Sequence, residues 1–507
     1  MSMVQEPEVL KRQIQETARK LEALVETGAR QGKAVHEVEQ GLWRELLRLG
    51  HHCLAHFFAL AGDGDMGETV RGGDGQEWQR LEQRHPRRYV SIFGTFVLER
   101  VVYGSREGQK IEFVPLDNRV QLPAGVYSYL LQDWSQGLCV ESAFGQVSAT
   151  LERMFAWHVS VDGLERINAA MAEAVADYRV DRPKPSAASE GELLVVSGDG
   201  KGIVMRRQAD DPAPAAHRSK GEKASQKQMA MVASVYSVDP HVRTPEEVVA
   251  ALFRDPRAKD EKPPARPKPR HKRVMASLPQ VDATGQEHAA VAIVHEWMLN
   301  ELVERNRQDQ EWQRPMVFLY DGQESLWDAR AEQLPAQGVD ILDLLHVTPR
   351  LWKAAHVFHK EGSAAAEAFV RERCLRVLQG RVEGVIRGLR EMATKHGLGG
   401  SKKKTITQNC AYLEKNRERL RYDEYLAAGY PIASGVIEGA CRHLVKDRME
   451  RAGMHWTPDG AQAMLDVRSV HVDGDWDGYQ TYRIDQERRR LYPHRHLVEG
   501  TQYAIAS

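Results

Sequence analysis

Three carboxylates stand out in this chain by position. Asp199 closes an apolar run in LLVVSGDGKGIVMRR (193–207), and Asp321 closes another in VFLYD. Glu438 opens a helical segment in SGVIEG, with Arg442, Lys446, Arg448 and Arg451 following. Carboxylates at strand ends of an open α/β sheet sit at the crevice where ligands bind. Two there, joined by a third from a helix across the sheet edge, repel one another unless cations sit among them. Oxygen donors without thiolates select Mg2+ or Mn2+. Two such ions, roughly 3.5–4 Å apart, can clamp the attacking and leaving oxygens of a phosphodiester. A single aspartate after a strand is also a common turn residue.

The glycines around Asp199 invite a phosphate-loop reading, which the spacing excludes. A P-loop needs GxxxxGK[ST] running into a helix, whereas here Lys201 follows Gly198-Asp199-Gly200 and a strand-like run comes next. GxGxxG is absent as well. Glycine permits either a tight turn or close backbone approach by a ligand. The stretch therefore reads as a hairpin between adjacent strands with Asp199 at its rim. Lys201 is then not a nucleotide-binding lysine but at most a nearby phosphate contact.

Hydrophobic periodicity supplies the elements that must position these groups. Residues 6–62 read as a helical arm, either a hairpin packed on its own domain or a dimerising element. GDGDMGETVRGGDGQE reads as a flexible linker, lacking the ligand ladder of a calcium loop. A small antiparallel sheet is expected over 87–118. Residues 122–180 read as helical, with ESAFGQVSATLERMF and LERINAAMAEAVADY joined by a glycine-containing turn. That pattern fits a helix-turn-helix or any helical hairpin. Asp162 and Glu165 are placed as a capping box for the second helix. If that helix reads a groove, Arg166 and Asn168 face the bases.

DRPKPSAASEGE, around 181–192, marks a domain boundary. Three strand-like runs follow, ELLVVSGD, GIVMRR and MAMVASVYSVD, with a polar loop carrying Lys220, Lys223 and Lys227 before the third. Residues 254–273 hold nine Lys/Arg against three acids and read as a solvated loop with electrostatic reach toward nucleic acid. An amphipathic helix is expected over 286–308 and a buried strand over 314–322. A strand then a helix follow over 338–358, and nearly continuous helix over 361–427. Two late helices complete the pattern, the last near 458–470.

Composition narrows the class. At 507 residues, three or four domains are expected, and 42% apolar content allows sizeable cores. A formal net charge of −1 says nothing of partners, so any nucleic-acid surface rests on local clustering. Cys53, Cys139, Cys374, Cys410 and Cys441 form no CxxC pair, which argues against a disulfide framework or a cysteine zinc site. No apolar run approaches the roughly 18 residues of a membrane span, and MSMVQEPEVLKRQIQ has no apolar signal core. A cytoplasmic protein without membrane association is expected.

The order of strand with Asp, two strands, helix, strand with Asp and late helix with Glu matches a ribonuclease H-like fold. Several words carry a closer resemblance: SGDGKGIVMR, SKGEK, YSVDPHVRTPEEVV, FLYDGQESLW, ILDLLHVTPRLWKAAHVFH and ASGVIEGACRHLVKDRMERAGMHWTPDGAQAML. They span roughly 190–470. On them the chain resembles bacterial insertion-sequence transposases of the ISKra family, in the DDE class related to Mutator-like elements. The resemblance implies a multidomain α+β protein with a helical N-terminal DNA-binding region. Its α/β catalytic core, 190–470, would carry a helical insertion at about 350–427, with a C-terminal tail at 471–507.

Residue by residue, the resemblance makes Asp199, Asp321 and Glu438 the first, second and third catalytic acids, holding two Mg2+ or Mn2+ ions. It implies cleavage at transposon ends and joining of a 3′-hydroxyl to target DNA. Asp343-Leu344-Leu345-His346 fits an Asp/Cys-x-x-His signature. His346 is then either a proton-handling or DNA-holding group or a buried structural histidine. Lys402, Lys403 and Lys404 are assigned to DNA ends, or to a solvated helical face, and Arg448 and Arg451 to phosphates. Trp456 either packs under the Glu438 helix or stacks on a flipped base. Partners are double-stranded DNA, as terminal inverted repeats and target, and further copies of the chain. The N-terminal sheet lacks the paired cysteines of a zinc ribbon. A structure-specific nuclease on the same fold and a non-catalytic DNA-binding descendant remain as alternatives.

Overall fold

The computed structural model describes residues 2–3, 6–72, 75–105, 111–207, 227–255, 266–308, 311–451 and 453–499. The chain is mixed α and β and forms two compact units. One comprises Met1–Val180 with Trp476–Ser507, the other Asp181–Asp475.

The second unit is built on five strands: β1 (Leu193–Val204), β2 (Lys227–Val238), β3 (Arg270–Ser277), β4 (Met316–Tyr320) and β5 (Val339–Leu342). Their order across the sheet is β3-β2-β1-β4-β5. β2 runs antiparallel to both β1 and β3, while β4 is parallel to β1 and to β5. Side chains alternate between faces along each strand. Leu193, Val195, Val317, Leu319 and Ile341 pack against the helices that follow β5. Leu194, Val196, Phe318 and Tyr320 pack against helix Ala290–Asn306. With both faces covered, β4 is apolar throughout, as the unbroken run MVFLY requires.

One expectation about this sheet is corrected. The runs ELLVVSGD and GIVMRR are a single strand, not two strands joined by a hairpin at the glycines. β2 stays in register beside β1 for all twelve residues, from Leu193↔Val238 to Val204↔Lys227, so the ladder leaves no place to turn. Gly198, Gly200 and Gly202 are absent from the positive-φ glycines. The use of Gly198 is close packing: a Cβ there would stand 3.3 Å from both Tyr320 Cε1 and Met298 Cε. The third strand of the sheet is instead β3, whose apolar half, Val274–Ser277, lies directly behind the basic residues of 254–273. Of that basic stretch, 256–265 lie outside the described residues, as do Lys220 and Lys223.

Glu190 anchors the start of β1. It is 7% exposed, takes Arg305 Nε at 2.8 Å and Nη2 at 3.0 Å, and accepts the Ser237 hydroxyl. These bonds join the strand's entry to helix Ala290–Asn306 and to β2. Between β5 and Glu438 the chain is helical: Leu344–Phe358, Ala364–Leu378, Val382–Lys395, Gly400–Lys415 and Tyr422–Ala427.

In the first unit, helices Pro7–Gln31 and Val35–Ala61 pair as a hairpin. Leu10, Ala55, Phe58 and Ala61 bury against Phe96 and Leu98 of the strand hairpin His85–Ser91/Gly94–Arg100. The segment expected as a flexible linker carries strands Thr69–Arg71 and Glu77–Arg80. They extend a second sheet that includes Tyr103–Gly104 and Ile111–Phe113, so two small sheets stand where one was expected. Helix Val161–Ala172 is capped by Ser160, whose hydroxyl accepts the Gly163 N–H at 3.1 Å. The expected Asp162/Glu165 box is displaced because the helix starts earlier. Residues expected as a C-terminal tail contain helix Trp476–Leu491, whose Tyr479 hydroxyl donates to Met171 O.

No helix among the described residues is long and apolar enough to cross a membrane. All five cysteines are free thiols.

Candidate functional site

β4 stops at Tyr320, which pairs with Gly198. From Asp199 onward, β1 therefore has β2 on one side and no strand on the other. Asp199 lies mid-strand, opposite Val232, but at the lip of the crevice left where β4 ends. Asp321 is the next residue after β4, level with Asp199 across that lip. The two carboxylates feel each other. Burial raises the Asp321 carboxyl above the ordinary aspartate value, and Asp199 pushes it further, against the Gln323 amide and His346. The Gln323 N–H donates to Asp321 Oδ1 at 2.7 Å, and the Gly200 N–H donates to Asp199 Oδ1 at 2.7 Å.

β5 ends one residue before Asp343, the N-cap of helix Leu344–Phe358, which accepts the Leu345 N–H at 2.8 Å. His346 is half-buried in the first turn of that helix, close enough to both Asp321 and Asp343 to lower each. Burial nevertheless raises the Asp343 carboxyl, and Glu438 adds to the rise.

Glu438 arrives from 239 positions after Asp199, on a helix that starts at Gly435–Ala440 and continues through a π-helical Cys441–Lys446. Its N-cap is Ser434. The Ser434 N–H donates to Asp343 Oδ2 at 3.1 Å, its hydroxyl accepts the Ile437 N–H at 3.2 Å, and it stands 3.3 Å from the Ser197 hydroxyl. Ser197 in turn is 2.8 Å from Ser234. All three serines are fully buried. One capped helix start thus touches β1 two residues before Asp199 and the residue that caps the His346 helix. On the next turn, the Cys441 thiol donates to Asp199 Oδ2 at 3.6 Å. Burial, then Asp199, pushes that thiol well up, so it stays protonated.

Asp199, Asp321, His346 and Glu438 are therefore brought to one crevice. Among the described residues, however, no three His, Cys, Asp or Glu side chains converge closely enough to hold a metal ion. The donor chemistry fits a hard divalent cation: Asp199, Asp321 and Glu438 offer oxygen only. Among the described residues none of them forms an ion pair with Lys, Arg or His within 4.0 Å.

The other residues singled out divide sharply. Lys201 is half-buried on β1, its Nζ 3.9 Å from Glu450, which Lys227 also meets at 2.9 Å. Lys402, Lys403 and Lys404 are exposed in the first turns of helix Gly400–Lys415. Arg451 is exposed, with its Nε donating to Asp447 O at 3.0 Å. Arg448 is corrected: it is 0% exposed, its guanidinium 4.9 Å from the Trp456 ring, so it packs the helix instead of meeting phosphate. Trp456 packs too, its Nε1 donating to Met449 O at 3.2 Å.

In the first unit, Arg166 is exposed and pairs with Asp162 at 2.8 Å. Asn168 is corrected: it is 2% exposed and donates to Gln136 Oε1 at 3.1 Å, so it cannot read bases. The helical period puts it on the inner face with Leu164 and Met171.

Sequence reasoning missed Ser197, Ser434, Cys441, Arg350 and Tyr412. A serine just ahead of a helical run is a cap signal, and Arg350 falls four residues after His346, on the same helical face.

Compared with known proteins, no family model matches the chain, and no curated protein matches it. Among solved structures, the chain is similar to a Drosophila P element transposase strand transfer complex, with 10% sequence identity and a TM-score of 0.24. The match covers 75% of this chain and 87% of that chain. A likeness at that TM-score carries no argument.

Proposed function

We propose that the second unit is a ribonuclease H-like polynucleotidyl transferase core, and that the chain is a DDE transposase of an insertion sequence acting on double-stranded DNA. One observation carries the reading. Asp199 on the central strand, Asp321 at the end of its parallel neighbour and Glu438 on a helix whose cap bonds Ser197 of β1 and Asp343 after β5 lie toward the open end of a β3-β2-β1-β4-β5 sheet. Ligands of open α/β sheets bind at such carboxyl ends, and carboxylates gathered without cationic partners suit phosphodiester chemistry through Mg2+ or Mn2+.

Asp199, Asp321 and Glu438 would hold the ions, which when bound neutralise charge on the attacking and leaving oxygens of a phosphodiester. Ser434 and Asp343 orient the Glu438 helix, and the exposed Glu438 carboxylate lies near enough to Asp343 and Cys441 to act on both. His346, between two carboxylates, is placed to hold or pass a proton at the oxygen that enters or leaves. Lys201, Lys402, Lys403, Lys404 and Arg451 supply cationic contacts for DNA phosphates. Arg166, in the first unit, would face bases if its helix reads a groove.

The test is direct. Overlapping duplexes covering the DNA on both sides of the gene are incubated with the full chain and Mg2+. The reading expects binding and cleavage confined to matched inverted ends, then joining of the freed 3′-hydroxyl to a second duplex. Cleavage of branched duplexes irrespective of sequence would identify a structure-specific nuclease instead. Binding to the ends without cleavage would identify a non-catalytic descendant.

A further inference from the structure

Beyond the carboxylates, one cation stands at this crevice with no acid of its own. Arg350 lies one helical turn after His346 on helix Leu344–Phe358, so both project from the same face. It is half-buried, yet among the described residues it forms no ion pair within 4.0 Å. Its guanidinium carbon instead lies 4.3 Å from the ring centroid of Tyr412.

Tyr412 comes from the opposite end of helix Gly400–Lys415 to Lys402, Lys403 and Lys404, and it reaches the sheet. Its ring lies against Gly322, the residue after Asp321. A Cβ at Gly322 would fall 2.3 Å from Tyr412 Cε2 and 2.6 Å from its hydroxyl, so only glycine admits the ring. The hydroxyl also meets the Gly322 backbone amide, and burial, then Asp321, pushes the phenol up to about 12.

Besides His346, the helical segment after β5 brings Tyr412 against the residue that follows Asp321, and Tyr412 carries an arginine on its face. Stacking holds a guanidinium by its plane and leaves its N–H donors directed outward. Those donors match the paired non-bridging oxygens of a phosphate. Through the Tyr412 ring, which lies against Gly322, the guanidinium stands one side chain away from Asp321.

We propose that Arg350, held on the Tyr412 ring, is a phosphate-binding residue of this site and takes a non-bridging oxygen of the DNA phosphodiester that is cleaved. This assignment rests on the transposase reading above and adds to it a residue that the three acids do not require.

The probe is the flanking-DNA duplex that the full chain cleaves, prepared with normal phosphates and, separately, with one neutral methylphosphonate at the cleaved position. Binding is measured in Ca2+ as salt is varied. Wild type is expected to bind the neutral duplex about tenfold more weakly, the scale of one lost charged hydrogen bond. Arg350→Ala is expected to bind the normal duplex about tenfold more weakly, with no further loss on the neutral one, and its salt slope should fall by about one. Arg350→Lys, which keeps charge and helix packing, should retain part of the preference. Tyr412→Phe, which keeps the ring, should retain most of it. If Arg350→Ala loses affinity equally on both duplexes, or not at all, the assignment fails while wild-type cleavage still supports the function. If wild type cleaves no flanking duplex, the functional reading fails and this assignment falls with it.

Discussion

The hydroxyls of Ser197 and Ser434 stand 3.3 Å apart, fully buried and 237 positions apart in sequence. Through that contact the strand carrying Asp199 fixes the start of the helix carrying Glu438. Ser434→Ala removes the contact and the helix cap together. A loss of about 1–2 kcal/mol in unfolding free energy is expected, read as a lower urea midpoint. Turnover on DNA ends should fall while DNA affinity is unchanged. Ser434→Thr, which keeps the hydroxyl, should restore turnover.

Asp321 is half-buried beside Asp199, and its carboxyl is raised above the unfolded value. A raised acid favours the folded state when protonated, so that contribution is present below the unfolded value and lost as pH rises through the folded one. At neutral pH the ionised group therefore weighs against the fold. Asp321→Asn should raise the melting temperature of the metal-free protein near pH 7, with the gain shrinking toward pH 4. Mg2+ should stabilise wild type more than the variant. A variant that melts below wild type at pH 7 would contradict this.

Much of the sheet was legible because β4 and β5 are short apolar runs with an acid at or just after the end, and the alternation along β1 and β2 survives their polar ends. What misled was glycine. Three glycines beside Asp199 imitate a turn, yet they sit within a ladder that only the partner strand, some thirty positions later, can impose. β3 was hidden because its strand signal follows directly on Lys and Arg. The acids of the site could be read individually. Their junction could not, since Ser197, Ser434 and Asp343 become neighbours only in the folded chain. Asn168 and Arg448 show the same limit from the other side: polar type suggested a surface role, and helical phase buried them.

Glu190 tests how the fold holds β1. Burial pushes its carboxyl up, but hydrogen bonds from Arg305 and Ser237 outweigh burial and hold it below the ordinary value. A depressed acid contributes stability that is present above the unfolded value and lost as pH falls through the folded one. Glu190→Gln should destabilise the protein by about 2–3 kcal/mol at pH 7, leaving the buried Arg305 with Glu301 at 3.7 Å as its remaining acid. The gap to wild type should narrow under acid, as seen in melting curves from pH 7 to pH 3.

Lys402, Lys403 and Lys404 sit at a helix start, where the dipole disfavours positive charge. Their replacement by Gln should leave the melting temperature unchanged or slightly higher. If they meet DNA, the same change should lower affinity for the ends and reduce the salt slope by about two to three. Unchanged salt dependence would mark them as a solvated face.

The central claim is that Asp199, at the lip where β4 ends, acts on the DNA backbone. The measurement is cleavage and strand joining by purified Asp199→Asn on the flanking-DNA duplexes with Mg2+ and with Mn2+, alongside binding of the same duplexes. The account predicts that binding persists and that both cleavage and joining are abolished with either metal. A variant that still cuts or joins those ends would contradict it.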